Sequence, residues 1–189
     1  MIRLCNRRLP NKKIFIRLDY KRQNITIRLA VPADAPDMAE IHMRSWEAAY
    51  KDIIPEDYIR EKNAERPALW ERILGEINTT QYIIKKDEKI AGMMGISVSR
   101  DEDAGNGTYE LMGLYLLPEY FRQGIGKQAM EFAYAEARKL NMKVMTVWLL
   151  EDNLNAKRFY EKCGFIADGS IREQNFGKLL NSIRMRRDL

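Results

Sequence analysis

An apolar run with strand character, Tyr109 to Leu116, gives way at Pro118 to a loop with two glycines one residue apart, Gly124 and Gly126, and then to a helix-forming run that reaches Leu140. Proline cannot donate a ladder hydrogen bond, so the strand ends before the loop, and the glycines permit a tight turn into the helix. Such a strand–loop–helix unit needs further strands and helices to cover its apolar faces. GIGKQA, residues 124–129, fits G-x-G-x-x-A, a pattern also found where a dinucleotide pyrophosphate meets a helix N-terminus. The rest of that pattern is missing. Pro118 and further residues separate the strand from Gly124, and Glu151 and Asp152 come late for a ribose contact. What survives is an anion cradle: the consecutive N–H groups of Gln123, Gly124, Ile125, Gly126 and Lys127 at the positive end of a helix, with Arg122 and Lys127 beside them. The competing reading is a glycine turn that serves only chain reversal.

The flanking sequence supplies the rest of a mixed α/β sheet. Ile25, Ile27 and Leu29 alternate as a strand, and Pro32 and Asp34 open a helix whose inward face includes Met38, Ile41, Ser45 and Ala48 or Ala49. A second helical region, Glu56 to Leu74, is expected to be interrupted near Pro67. Strands follow at Tyr82 to Lys85 and Ile90 to Val98, joined by a polar turn at Asp87 and Glu88. After the loop and its helix come a strand from Val144 to Leu149, a helix from Asn153 to Lys162 stopped by Cys163 and Gly164, and returning strands over residues 165–187.

Composition bounds the functional classes. With 189 residues and 46% hydrophobic, the chain suits one domain with a sizeable core. Cys5 and Cys163 are too few for a disulfide framework, and one histidine with scattered acids assembles neither a metal site nor a catalytic triad, so hydrolase chemistry is set aside. No apolar run approaches the ~20 residues that span a bilayer, and the expected setting is a reducing cytoplasm with no membrane partner. The charge is uneven. Residues 1–24 hold eight basic residues (Arg3, Arg7, Arg8, Lys12, Lys13, Arg17, Lys21 and Arg22) against Asp19, a net +7, which leaves 5 − 7 = −2 for residues 25–189. Residues 1–24 are therefore read as a basic N-terminal extension and 25–189 as the domain. Clustered positive charge attracts phosphate, yet a solvated extension is the expected role and nucleic acid is not the expected partner. Ile14, Ile16 and Leu18 alternate well enough to pair as a short strand, within this sheet or in a homodimer contact.

NLNAKRFYEKCGF, residues 153–165, following VMTVWLL and combined with LYLLPEYFRQGIGK, resembles the GNAT superfamily of acyl-CoA-dependent N-acyltransferases over roughly residues 25–187. The resemblance implies a central, mostly antiparallel sheet with splayed strands, flanked by helices, and acetyl-CoA as co-substrate. It implies that backbone groups of Leu114, Tyr115 and Leu116 line the pantetheine arm, that Arg122 to Lys127 hold the phosphates, and that Asn153 and Tyr160 lie beside the thiol end. It also places Glu110 where several family members keep a general base acting through water. One position departs from the family's pattern: Phe121 stands where the loop usually begins with Gln or Arg.

Acetyl transfer to an amine gives these residues work to do. An alkyl ammonium of pKa ~10.4 is neutral at pH 7 in about one molecule in 10³, a penalty of roughly 4–5 kcal/mol that a base or a desolvating pocket offsets. Tyr160 suits proton donation to the departing thiolate, and Glu110 suits the base, against the alternatives of a packed ring and an ordinary strand carboxylate. Cys163, at a helix C-terminus, is a poor nucleophile, so direct attack on the thioester is expected. On the acceptor side His42, Trp46 and Tyr50 recur at i, i+4 on one helix face, as a wall for a small-molecule or peptide amine or as a core stripe, with Glu47, Asp52, Glu56 and Asp57 near enough in sequence to attract its charge. A non-catalytic acyl-CoA-binding or nucleic-acid-associated module is the alternative class.

Overall fold

The computed structural model describes residues 16–17 by their backbone alone, together with 24–75 and 80–189. Among the described residues eight strands form one sheet in the order β1-β2-β3-β4-β5-β6-β8-β7. In chain order the elements are β1 (Ile16–Arg17), β2 (Ile25–Leu29), α1 (Ala35–Tyr50), α2 (Glu56–Gly75), β3 (Thr80–Lys86), β4 (Lys89–Val98), β5 (Thr108–Leu116), α3 (Ile125–Lys139), β6 (Val144–Leu150), α4 (Leu154–Lys162), β7 (Ile166–Asn175) and β8 (Leu179–Asp188). Every pair is antiparallel except β5 with β6, the two strands joined through the glycine loop and α3. The mixed α/β sheet expected from the sequence is present.

Side-chain alternation assigns the two faces. Along β3, Tyr82 and Ile84 enter the cluster built on α3, with Ile125, Ala129, Met130 and Ala133, whereas Ile83 enters the cluster of α1, with Met38, Ile41 and Trp70. Helices α1 and α2 thus cover one face, and α3 covers the other. The buried stripe of α1 includes Met38, Ile41 and Ser45 as expected but runs on through Trp46, while Ala48 and Ala49 are exposed. Helix α2 passes through Pro67 without the expected interruption. Pro67 still lacks the N–H that would meet the Asn63 carbonyl, and burial of Ile59, Asn63 and Trp70 on one stripe holds the helix together across that gap.

Two features of β5 position the site. Gly95 and Ile96 of β4 pair with Gly113 and Leu111 of β5, so Met112 is an extra residue that bulges the strand. On its other edge β5 pairs with β6 only from Thr108↔Val144 to Leu111↔Val147, although β5 continues to Leu116 and β6 to Leu150. The strands part where the bulge bends β5, and the far edge of Met112 to Leu116 faces an opening instead of a ladder.

The closed end of that pair is tied down by charge. Arg184 of β8, 10% exposed at its side chain, meets Asp101 at 2.9 Å and Asp103 and Asp168 at 2.6 Å. Burial pulls the Asp101 carboxyl upward, but hydrogen bonds from Arg184, Trp148 and Arg172 outweigh it and leave its pKa below the ordinary carboxylate value. A cavity of ≈ 260 Å³ at this end, lined by Asp103, Thr108, Thr146, Asp168 and Arg184, shares no lining residue with the tyrosines described below.

Candidate active site

The glycine loop delivers α3 to the mouth of the opening with its first turn uncapped. Gly124 sits at φ 80°, a left-handed conformation that side chains with a Cβ adopt at a cost, and no side-chain cap or first-turn acid follows it. The first N–H groups of the helix therefore stay available to an anion. Arg122 and Lys127 are exposed. Gln123 has a different duty: its side chain accepts from Lys86 at 2.5 Å and donates to the Glu119 carbonyl at 2.6 Å, fastening the loop and leaving only its backbone for a ligand. At Gly126 a Cβ would stand 3.1 Å from the Phe159 ring, so a small residue is needed there for α3 to approach α4 as well. Phe121 is 42% exposed.

Beyond the loop, Leu114, Tyr115 and Leu116 pair with Met94, Met93 and Gly92 on one edge and leave the other edge to the opening. Tyr160 of α4, 7% exposed, packs with Phe159 and Phe165 at ring distances of 5.1 and 5.6 Å. Burial raises the Tyr160 phenol far above its ordinary pKa, and the phenols of Tyr50 and Tyr115 add to the shift. Tyr115 is likewise raised by burial, with Tyr50 adding and Arg66 opposing. Tyr50 is raised by burial and partly relieved by a hydrogen bond from Asn153. Three phenols from α1, β5 and α4 therefore converge where β5 and β6 diverge. Asn153 holds its place as the cap of α4, its Oδ1 accepting from the Ala156 N–H at 3.0 Å, which leaves its amide NH₂ for Tyr50.

Glu110 lies on the closed part of β5, 6% exposed, accepting from the Arg100 N–H at 3.4 Å and facing the Arg100 guanidinium at 3.6 Å. It pairs in register with Thr146 of β6, whose buried hydroxyl has no hydrogen-bond partner among the described residues. Register partners point to the same face, so carboxylate and hydroxyl share one polar spot.

On α1 the aromatic residues line up as the spacing predicts, His42–Trp46 at 6.1 Å and Trp46–Tyr50 at 5.3 Å. Their environments differ. Trp46 is 9% exposed and packs with Ile54, Ile59, Leu150 and Leu180, so it is part of the core. His42 accepts from the Trp70 indole at 3.2 Å, and burial, with Arg66 adding, pushes its pKa down to about 3, so it is a neutral packing group at neutral pH. The acids singled out near the acceptor do not converge: Asp52, Glu56 and Asp57 are exposed, Asp57 pairs with Arg60 at 2.5 Å, and Glu47 accepts from Asn63 at 2.8 Å. Cys163 is half-buried, its thiol raised chiefly by burial. Among the described residues no group of His, Cys, Asp or Glu is placed to hold a metal ion.

Arg66 was not legible as a site residue. Its guanidinium lies 4.6 Å above the Trp46 ring, and its only sequence signal is its place on the inward stripe Ile59, Asn63, Arg66, Trp70.

Comparison with known proteins agrees with this geometry. Residues 36–165 match the model of the acetyltransferase (GNAT) family. The N-acetyltransferase from the pepI 3′ region of Lactobacillus delbrueckii subsp. lactis is 30% identical over 137 residues, 69% of this chain and 78% of that relative. The spermidine N(1)-acetyltransferase of Thermoplasma acidophilum is 26% identical over 75% of this chain and 88% of its own. Among solved structures, the PaiA N-acetyltransferase of Thermoplasma acidophilum in complex with coenzyme A superposes with a TM-score of 0.69 at 23% identity, over 87% of this chain and 99% of that one. The chain belongs to the GNAT acetyltransferase family.

Proposed function

We propose that the protein moves an acetyl group from acetyl-CoA to a primary amine of a small molecule or peptide by direct attack on the thioester. The observation that carries this reading is the alignment of three parts along one opening: the uncapped N-terminus of α3, the unpaired edge of Met112 to Leu116, and the Tyr50–Tyr115–Tyr160 cluster. Residues Arg122 to Lys127 fit a pyrophosphate through open N–H groups and two exposed cations. The edge of Leu114 to Leu116 offers peptide donors and acceptors to the amide-bearing pantetheine arm. Acetyl-CoA supplies the thioester carbonyl to which the amine adds.

The protein's own groups handle protons and water. Tyr160, held protonated at neutral pH, donates a hydrogen bond to the sulfur position. Its raised pKa makes full transfer of the phenolic proton to the thiolate uphill, so the phenol stabilises the leaving sulfur by a hydrogen bond and the proton given up by the amine ends, through water, on the departing thiol. Glu110 and the Thr146 hydroxyl form a seat for one water, through which the carboxylate takes the amine proton. Packing of α1 over the opening excludes bulk water and favours the neutral amine. Cys163 stays a thiol and takes no acetyl group. Tyr160→Phe is expected to lower kcat by about 10²-fold with little change in acetyl-CoA affinity, measured by N-acetyl product formation and calorimetry. Full activity in that variant would return Tyr160 to packing.

A further inference from the structure

Among the described residues Arg66, on the acceptor side, forms no ion pair, although Glu65 acts on it at longer range. Arg66 lies over the Trp46 ring at 4.6 Å, and its Nε is buried without a hydrogen-bond partner among the described residues. Arg66 of α2 thus faces Trp46 of α1, and it acts electrostatically on His42 and Tyr115 while Glu65 and Tyr58 act on it. The nearby acids are engaged elsewhere: Glu65 with Lys62 at 3.0 Å, Asp57 with Arg60, and Glu47 with Asn63. Burial pulls the Arg66 pKa down, yet a guanidinium stays charged at every physiological pH. A half-buried charge that lacks an ion pair is costly, and the Trp46 face offsets only part of that cost. An arriving anion would remove the rest.

Resting on the acetyltransferase reading, we infer that the acceptor amine carries a carboxylate and that Arg66 receives it through its two terminal nitrogens. The planar fork of arginine matches a carboxylate with two parallel hydrogen bonds, and with Nε enclosed by the protein the pair of terminal nitrogens is the arm that remains. The carboxylate anchors the acceptor against α2 while its amine points toward the tyrosine cluster. A polycation such as spermidine gains nothing from this anchor and is repelled by it.

The test compares amino acids with their carboxamide counterparts, identical except for the charge, and adds spermidine as the cationic extreme. Wild-type kcat/KM is expected to favour each acid over its amide by about 10- to 100-fold, the range for a hydrogen bond to a charged group. In Arg66→Met the ratio should fall to about one through a rise in the KM of the acid, while Arg66→Lys should restore part of the preference. A parallel calorimetric titration of acid and amide onto the protein loaded with coenzyme A reads the pairing without turnover. Equal affinity for acid and amide, or a wild-type preference for spermidine, would overturn the carboxylate assignment. Absence of acetyl transfer with a retained calorimetric preference would instead overturn the acetyltransferase reading and leave the Arg66 contact standing.

Discussion

His42, a lone histidine on a helix face, is expected from the sequence to be hydrogen-bonded structure rather than a base, and in the structure it is a packing group. Its ring lies between Trp70, whose indole donates to it, and Tyr115, 4.5 Å away centre to centre. Because its pKa is pushed down to about 3, the unfolded chain binds a proton that the folded chain refuses between the unfolded value of ~6.5 and that lower limit. The stability owed to neutral His42 is complete above about pH 6.5 and is lost as the pH falls. Chemical denaturation at pH 7.5 and pH 5 should therefore give a lower stability at pH 5, and the difference should shrink in His42→Gln. An unchanged difference would place the acid sensitivity in other groups. At this scale, the family resemblance singled out Asn153 and Tyr160, whose partners are local. Asn153 caps its own helix, and Tyr160 follows two turns later. Arg66 and Thr146 were not legible because each gains meaning from a partner distant in sequence, Trp46 for one and Glu110 for the other.

Among the elements, α3 and its loop were legible because proline, glycine and the apolar period all punctuate the chain at the same place. The bulge at Met112 was not. It arises from the register between β4 and β5, which depends on how two strands meet and is not marked by a residue type. The continuity of α2 through Pro67 has the same origin, since tertiary burial of its stripe outweighs a local defect. The α3 start yields a graded prediction. Gly124→Val forces a branched residue into the left-handed region where space around the Cβ is open, so it should weaken acetyl-CoA binding by at least 10-fold and lower the melting temperature modestly. Gly126→Val pushes against the Phe159 ring and should cost more stability than Gly124→Val, because it separates α3 from α4. Calorimetry and thermal melts of both variants check the order. Unchanged acetyl-CoA affinity in both would remove the loop from the cofactor site.

For the whole molecule, a mixed sheet was readable from the alternation of periods, and the parallel contact of β5 with β6 follows from the helix between them. The insertion of β8 between β6 and β7 was not readable, as it is a long-range choice of partners. Two residues of the basic extension, Ile16 and Arg17, add a short antiparallel pairing to β2 within the stretch Ile14 to Leu18, which the sequence left open between a paired strand and an accessory extension; the rest of residues 1–23 lies outside the described residues. Ile25 and Ile27 are buried through the α3-side cluster. A chain starting at Asn24 should accordingly retain its acetyl-CoA affinity and lose no more than a few degrees in melting temperature. A larger loss would make residues 1–23 part of the domain.

Direct transfer at the opening between β5 and β6 is read out by thiol release from acetyl-CoA followed against amine concentration. Without amine no thiol release above background is expected, and with an acceptor amine release should saturate at one thiol for each N-acetyl product. Acetyl-CoA binding with no amine-dependent release, or a thiol burst without amine that leaves an acetyl group on the protein, would contradict it.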